Sequence, residues 1–198
     1  MIRLFLRGAT VRAFGVAVAI GVWSGGGWGA ELPASMKKDA LKVQKELGRI
    51  EVENLAGRTG PLKTIDFTET EFNAWLAFRL DEEKEDVLRE LALKLLPENR
   101  IEGKAFIDLS RARLPLGFKP RFNLYFSARV LVQSGAAKIE FTQVFIEGQQ
   151  VSMILLDLMI AAAAGLGKSD AAAIKEWVLL PYGLQNLRID TGRVRLFY

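Results

Sequence analysis

Residues 121–133 read RFNLYFSARVLVQ, and this run constrains the fold more than any other. Phe122, Leu124, Phe126, Ala128, Val130 and Val132 fall on one parity. Arg121, Asn123, Tyr125, Ser127 and Arg129 fall on the other. Strict alternation over this length is a strand with one dry face and one wet face. Antiparallel sheets allow that, whereas parallel sheets are covered on both sides. Ser134-Gly135 turns the chain, and Lys138 to Ile146 returns with Ile139 and Phe141 inward. The alternation slips around Gln143-Val144, which predicts a bulge there. Glu147-Gly148 closes this meander.

Upstream, Glu90–Leu96 and Arg100–Leu109 flank the turn Pro97-Glu98-Asn99 and read as a hairpin. The Leu, Ala, Glu and Lys content of residues 87–96 keeps a helix continuing from Asp81 as the alternative. Asp81 to Asp86 (DEEKED) reads as a charged turn or a solvated helix start. Leu62 to Phe67 reads as a short strand. In Thr68-Glu69-Thr70-Glu71, Thr68 and Glu71 form a capping box, which starts a helix with Phe72, Trp75, Leu76 and Leu80 on one face. Acids in a first helical turn complement the helix dipole, so Glu69 and Glu71 are better explained structurally than as a catalytic pair. Earlier still, Ser35 to Leu55 carries Met36, Ala40, Val43, Leu47 and Ile50 at spacings of three and four. That stripe predicts an amphipathic helix, either packed on its own domain or facing a partner. Gly57 to Pro61 is the expected soft joint after it.

Downstream, Val151 to Leu166 (VSMILLDLMIAAAAGL) contains only two polar residues, Ser152 and Asp157. It reads as an apolar helix starting near Gln150, which must be covered, span a membrane, or line a space for an apolar guest. Its length of about sixteen residues, with Asp157 inside it, argues against a span. The glycines of Gly165-Leu166-Gly167 follow a helix and read as a C-cap rather than a phosphate loop. A short helix over Ala171 to Trp177, the turn Leu180-Pro181-Tyr182-Gly183 and a terminal hairpin over Leu184–Tyr198 complete the chain. Leu187, Ile189, Val194 and Leu196 are expected on the buried face of that hairpin.

The chain has 27 basic and 23 acidic residues. Arg3, Arg7 and Arg12 account for most of the excess; without them the balance is 24 to 23, and no basic patch points to nucleic acid. These arginines precede an apolar run, Ala13 to Trp23, and a small-residue stretch, SGGGWGA. The pattern predicts an export signal over residues 1–30, with an uncleaved N-terminal anchor as the alternative, and places the protein in the periplasm or outside the cell. The expected organisation is residues 1–30 as signal or anchor, 31–60 as helix and linker, and 61–198 as a single α+β domain.

There is no Cys and no His. That excludes disulfides, thiolate nucleophiles, lipoprotein acylation and the commonest general base and transition-metal ligand. No catalytic constellation, metal site or cofactor is expected, and the chain reads as a non-enzyme.

The T-E-x-E-x-N-x-W-L helix start (Thr68 to Leu76), the R-I-x-G-x-A-x-I-D-L strand (Arg100 to Leu109) and the L-P-Y-G turn resemble a group of uncharacterised exported bacterial proteins. More remotely, the order of elements is similar to small tubular lipid-binding domains of the TULIP-like or LmeA-like kind. The resemblance implies an α+β fold in which a curved antiparallel sheet, meander plus terminal hairpin, packs against two or three helices. It also implies binding of a lipid or other amphiphile between sheet and apolar helices. The residues that would line such a pocket are Phe122, Phe126, Phe141, Phe145, Met153, Leu155, Met159 and Ile160, with Asp157 as a polar gate, a solvent-facing residue or a partner of a sheet arginine such as Arg129. The loop Ser110 to Pro120 places Arg113, Leu114, Leu116, Phe118 and Lys119 together. Such a loop either folds over the sheet end or docks on an anionic membrane surface. The alternative function is a cell-envelope interaction or scaffold protein with a dry core and a protein partner.

Overall fold

The computed structural model describes residues 32–57, 60–83, 87–111, 119–152, 154–156 and 176–198. Its described elements run α1 (Ala34–Leu55), β1 (Thr64–Thr68), α2 (Glu69–Glu83), β2 (Leu88–Leu96), β3 (Arg100–Asp108), β4 (Arg121–Gln133), β5 (Ala136–Ile146), β6 (Gln149–Gln150), β7 (Val178–Leu179), a 3-10 turn (Pro181–Gly183), β8 (Asn186–Asp190) and β9 (Arg193–Phe197). The class is α+β. The meander β2-β3-β4-β5-β6 forms a curled antiparallel sheet, and β7 adds to β5. The terminal hairpin does not extend that sheet: β8 and β9 join β1 in a second, three-stranded sheet ordered β1-β9-β8.

The hairpin reading of residues 88–108 holds. Leu91, Leu93 and Leu95 point inward, opposite Ala105, Gly103 and Ile101, and cross-strand burial of this kind outweighs the helix propensity of the sequence. The bulge in β5 falls one residue before the expected slip. Ser127 pairs with Gln143 and Ala128 with Phe141, so Thr142 is the extra residue. The turns at Ser134-Gly135 and Glu147-Gly148 each place two residues at positive φ, the backbone of the two-residue hairpin turn that matches strand twist.

Asn99, also left-handed, ties the two sheets together. Its carbonyl accepts from Val130 N–H (2.8 Å), its side-chain oxygen from Ile189 N–H (2.7 Å), and its own N–H donates to the Ile189 carbonyl. Leu187, Ile189, Val194 and Leu196 are all buried, as the hairpin pattern requires.

Helix α1 buries Ala40, Val43, Leu47 and Ile50, the last four residues of the predicted stripe. Val43, Leu47 and Ile50 belong to the same core as the sheet residues, so the helix is an integral layer of the domain. Its joint with α2 includes the Trp75 indole N–H donating to Gln44 (2.9 Å) and a Lys42–Glu71 ion pair. The L-P-Y-G turn latches the C-terminal end of α1. The Asn54 amide donates to the carbonyls of Tyr182 (2.8 Å) and Gly183 (3.2 Å). A Cβ on Gly183 would lie 2.5 Å from that amide nitrogen, at a backbone φ of 73°, so a larger residue there would strain the turn and displace Asn54. Tyr182 itself adopts φ 60°, a strained conformation for a non-glycine residue; burial raises its phenol pKa above the usual range.

Three expectations need correcting. Gln150 lies in β6, not at a helix start. Helix geometry appears at 154–156, where Ser152 Oγ accepts from Leu155 N–H (3.3 Å) as an N-cap would. Asp81–Glu83 form the last turn of α2 rather than a new start, held by Arg79 to Glu82 (2.9 Å) and to Glu83. Glu176 and Trp177 are not helical; the rest of the short helix expected over Ala171 to Trp177 lies outside the described residues.

Candidate functional site

The acidic start of α2 places two carboxylates, Glu69 and Glu71, in one helical turn. Thr68 Oγ1 accepts from Glu71 N–H (3.3 Å) and donates to Glu71 Oε2 (3.1 Å), which also accepts from Thr68 N–H (2.9 Å). This is the capping box read from the sequence. Burial pushes the Glu71 carboxyl up, and hydrogen bonds from Lys42 and Thr68 more than offset it, leaving its pKa below the usual Glu value. Glu69 and Asn73 have a different task. Glu69 Oε2 accepts from Leu95 N–H (2.7 Å). Asn73 Oδ1 accepts from Leu93 N–H (2.7 Å), and Asn73 Nδ2 donates to the Leu93 carbonyl (2.8 Å). The spacing of four puts both side chains on one flank of α2, where they satisfy the free edge of β2. Sequence reading missed this strap; the same-flank spacing of Glu69 and Asn73 was the available signal. Thr68, Glu69, Glu71 and Asn73 are thereby all used in holding the fold.

The predicted pocket residues divide into three groups. Phe122 and Phe126 lie on the inner face and are only 2% and 5% exposed. The Phe126 ring lies against Gly103, its cross-strand partner, where a Cβ would come within 1.9 Å of it. It also meets Phe141 edge-on, with centroids 5.3 Å apart. At these two positions the space is filled by protein.

The second group is Phe141 and Leu155. Both pack on the core while half covered, as do Ile146 and Val151. Val151 N–H donates to the Val144 carbonyl (2.9 Å), bringing the start of the apolar stretch against β5. Ile154 is 75% exposed beside them in sequence.

The third group is Phe145, and here the prediction is overturned. Phe145 pairs with Tyr125, on the outer face. The extra residue Thr142 changes the phase of β5, so Val144, fully buried, takes the inward place that Phe145 was expected to fill. Met153, Asp157, Met159 and Ile160 lie outside the described residues, as do Arg113, Leu114, Leu116 and Phe118. Of the residues expected to dock, only Lys119 is described, and it is exposed.

What remains as candidate site is the β5 margin, where Phe141, Ile146, Val151 and Leu155 form an incompletely covered apolar rim on the core side of the sheet. Among the described residues no cluster of acids could hold a metal ion, and no helix is long and apolar enough to cross a membrane. No family model matches the chain, and no curated protein matches it.

Proposed function

We propose that the chain is an exported, non-enzymatic domain that binds a lipid or similar amphiphile, whose acyl part enters at the β5 margin between the curled sheet and the apolar stretch beginning at Val151. The observation that carries this reading is the unequal covering of one continuous apolar face. Phe122 and Phe126 are sealed, while Phe141, Ile146, Val151 and Leu155, on the same core, are not. Covering such a rim with an acyl chain contributes about 0.8 kcal/mol per buried methylene. The test is native mass spectrometry of the purified protein with extraction of bound lipid. Stoichiometric co-purifying lipid is expected, together with a higher melting temperature on adding phospholipid. Absence of both overturns the reading.

A second reading, an envelope interaction protein with a dry core, is favoured by the sealing of Phe122 and Phe126 and by α1. Leu41, Val52 and Leu55 are 47%, 67% and 76% exposed along that helix and fall on one side of it, away from the buried stripe. Under this reading Val52→Lys with Leu55→Lys abolishes assembly and leaves lipid content unchanged.

A further inference from the structure

The outer face of the large sheet carries a depression of about 250 Å³, walled by Leu96, Arg100, Glu102, Arg129, Glu140 and Thr142. Its geometry follows from the register. Arg100 on β3 stands directly opposite Arg129 on β4, and Glu140 on β5 stands opposite Arg129 on the other side. Val130 N–H donates to the Asn99 carbonyl (2.8 Å), so residues 99 and 130 are a hydrogen-bonded pair. The adjacent pair, Arg100 and Arg129, is then of the non-hydrogen-bonded kind, in which side chains come closest. Like charges placed this way are destabilising unless something neutralises them. Beside them, the extra residue of β5 interrupts the ladder, and the Thr142 hydroxyl donates to the Ser127 carbonyl (3.0 Å).

Among the described residues, the neighbouring carboxylates do not engage the terminal nitrogens of either arginine. Arg100 Nε donates to the Pro97 carbonyl (3.2 Å) and lies 4.0 Å from Glu98. Its terminal nitrogens make no hydrogen bond among the described residues. Glu102 stands 3.8 Å from Lys94 and Glu140 stands 3.9 Å from Lys138. Among the described residues, no carboxylate lies within 4.0 Å of the Arg129 guanidinium. Two planar donor forks therefore wall one groove with donors to spare, the arrangement that holds an oxyanion through paired hydrogen bonds.

We propose that this groove binds a compact phosphate group between Arg100 and Arg129. Glu102 and Glu140 in its wall repel an extended polyanion, so the occupant is a single phosphate, either free or at the head of a lipid. The site is on the opposite face from the apolar rim and does not depend on amphiphile binding there.

The test is an NMR titration of the full chain with inorganic phosphate at low salt. A second arm measures binding to phosphatidylglycerol vesicles against vesicles of a glycolipid without phosphate. Saturable shifts at residues 100, 129 and 142 are expected. Arg129→Gln should weaken phosphate about tenfold, as loss of one charge-assisted hydrogen bond would. Arg129→Lys, which keeps the charge and loses the fork, should fall between. Lys119→Gln, an exposed cation elsewhere, should change affinity by less than about twofold. Arg100→Gln repeats the test from the other wall, and thermal melts establish that each variant is folded. Saturation by phosphate alone identifies a free ligand, and Arg129-dependent preference for phosphatidylglycerol identifies a headgroup; both support the site. Absence of both, or equal weakening by Lys119→Gln, overturns it.

Discussion

The two edges of the large sheet are treated differently. At β2 the exposed backbone groups of Leu93 and Leu95 are taken up by Asn73 and Glu69 from α2, and the Leu95 carbonyl accepts from Gly192 N–H (3.1 Å). At β5 the partners sit at the ends: β7 pairs with Ala136 and Ala137, β6 with Phe145 and Ile146, and Val151 N–H reaches Val144. Between them the described residues supply no strand partner for Lys138–Thr142, and that stretch is protected instead by Lys138, Glu140 and the bulge, the usual devices of an open edge. One edge is fastened by side chains of α2. The other keeps its apolar neighbours half covered. The fastened edge is where the fold is secured, and the open one is where the proposed amphiphile would enter.

Breaking the fastened edge should have the largest effect. Asn73→Leu keeps size and helix propensity while removing both hydrogen bonds to Leu93, which leaves a strand donor and acceptor without partners. The expected loss is about 2–4 kcal/mol, with each unsatisfied group costing about 1–3 kcal/mol if water does not reach it. Urea unfolding measures this, and light scattering reports whether the freed edge self-associates. A loss under about 0.5 kcal/mol would mean that Asn73 is not what secures β2.

Cutting back the open edge should cost less in stability and more in binding. Phe141→Ala removes a ring that packs on Phe126 but is only half covered. The expected loss is about 1–2 kcal/mol, below the 3–5 kcal/mol typical of a sealed Phe. Lipid carried by the variant should fall by much more than its stability does. Unchanged lipid content in Phe141→Ala, with wild-type protein loaded, would move the guest away from β5.

How far this contrast was readable in the sequence depends on what each residue answers to. The strands were legible wherever alternation was clean: β4 occupies the residues its pattern marks, and the terminal hairpin buries the four residues expected. The capping box was legible because both partners are local. The strap from Glu69 and Asn73 was not, since its partners lie twenty or more residues away. Phe145 went to the wrong face because parity cannot place a bulge to the residue, and a slip of one position reverses everything after it. The second sheet was missed for a related reason. Whether a terminal hairpin continues a meander or pairs with β1 depends on tertiary position, here fixed by Asn99 and by the fork from Arg195 to Asp66 (2.7 and 2.8 Å).

That fork gives the smallest effect, and it again falls on the fastened side. Asp66 pairs across β1 and β9 with Arg195. The hydrogen bond from Arg195 holds its carboxyl below the usual Asp value. Glu71, at the same end of the molecule, is also lowered, the Lys42 and Thr68 hydrogen bonds outweighing its burial. A carboxyl whose folded pKa is depressed stabilises the protein above its unfolded pKa, near 4 for these groups, and that contribution is lost as pH falls through the lower, folded value. Stability should therefore decline as pH drops below about 4–5. Hydrogen exchange should show β1, β9 and the first turn of α2 losing protection before β4. The Asp66–Arg195 pair is more than a third exposed, at 38% and 37%, so solvent screens it and the change is modest. Asp66→Asn should be less stable than wild type at neutral pH and converge on it in acid, flattening the acid limb of the urea midpoint. An unaltered limb in that variant would move the acid sensitivity to Glu71, where the Lys42→Met variant should then flatten it.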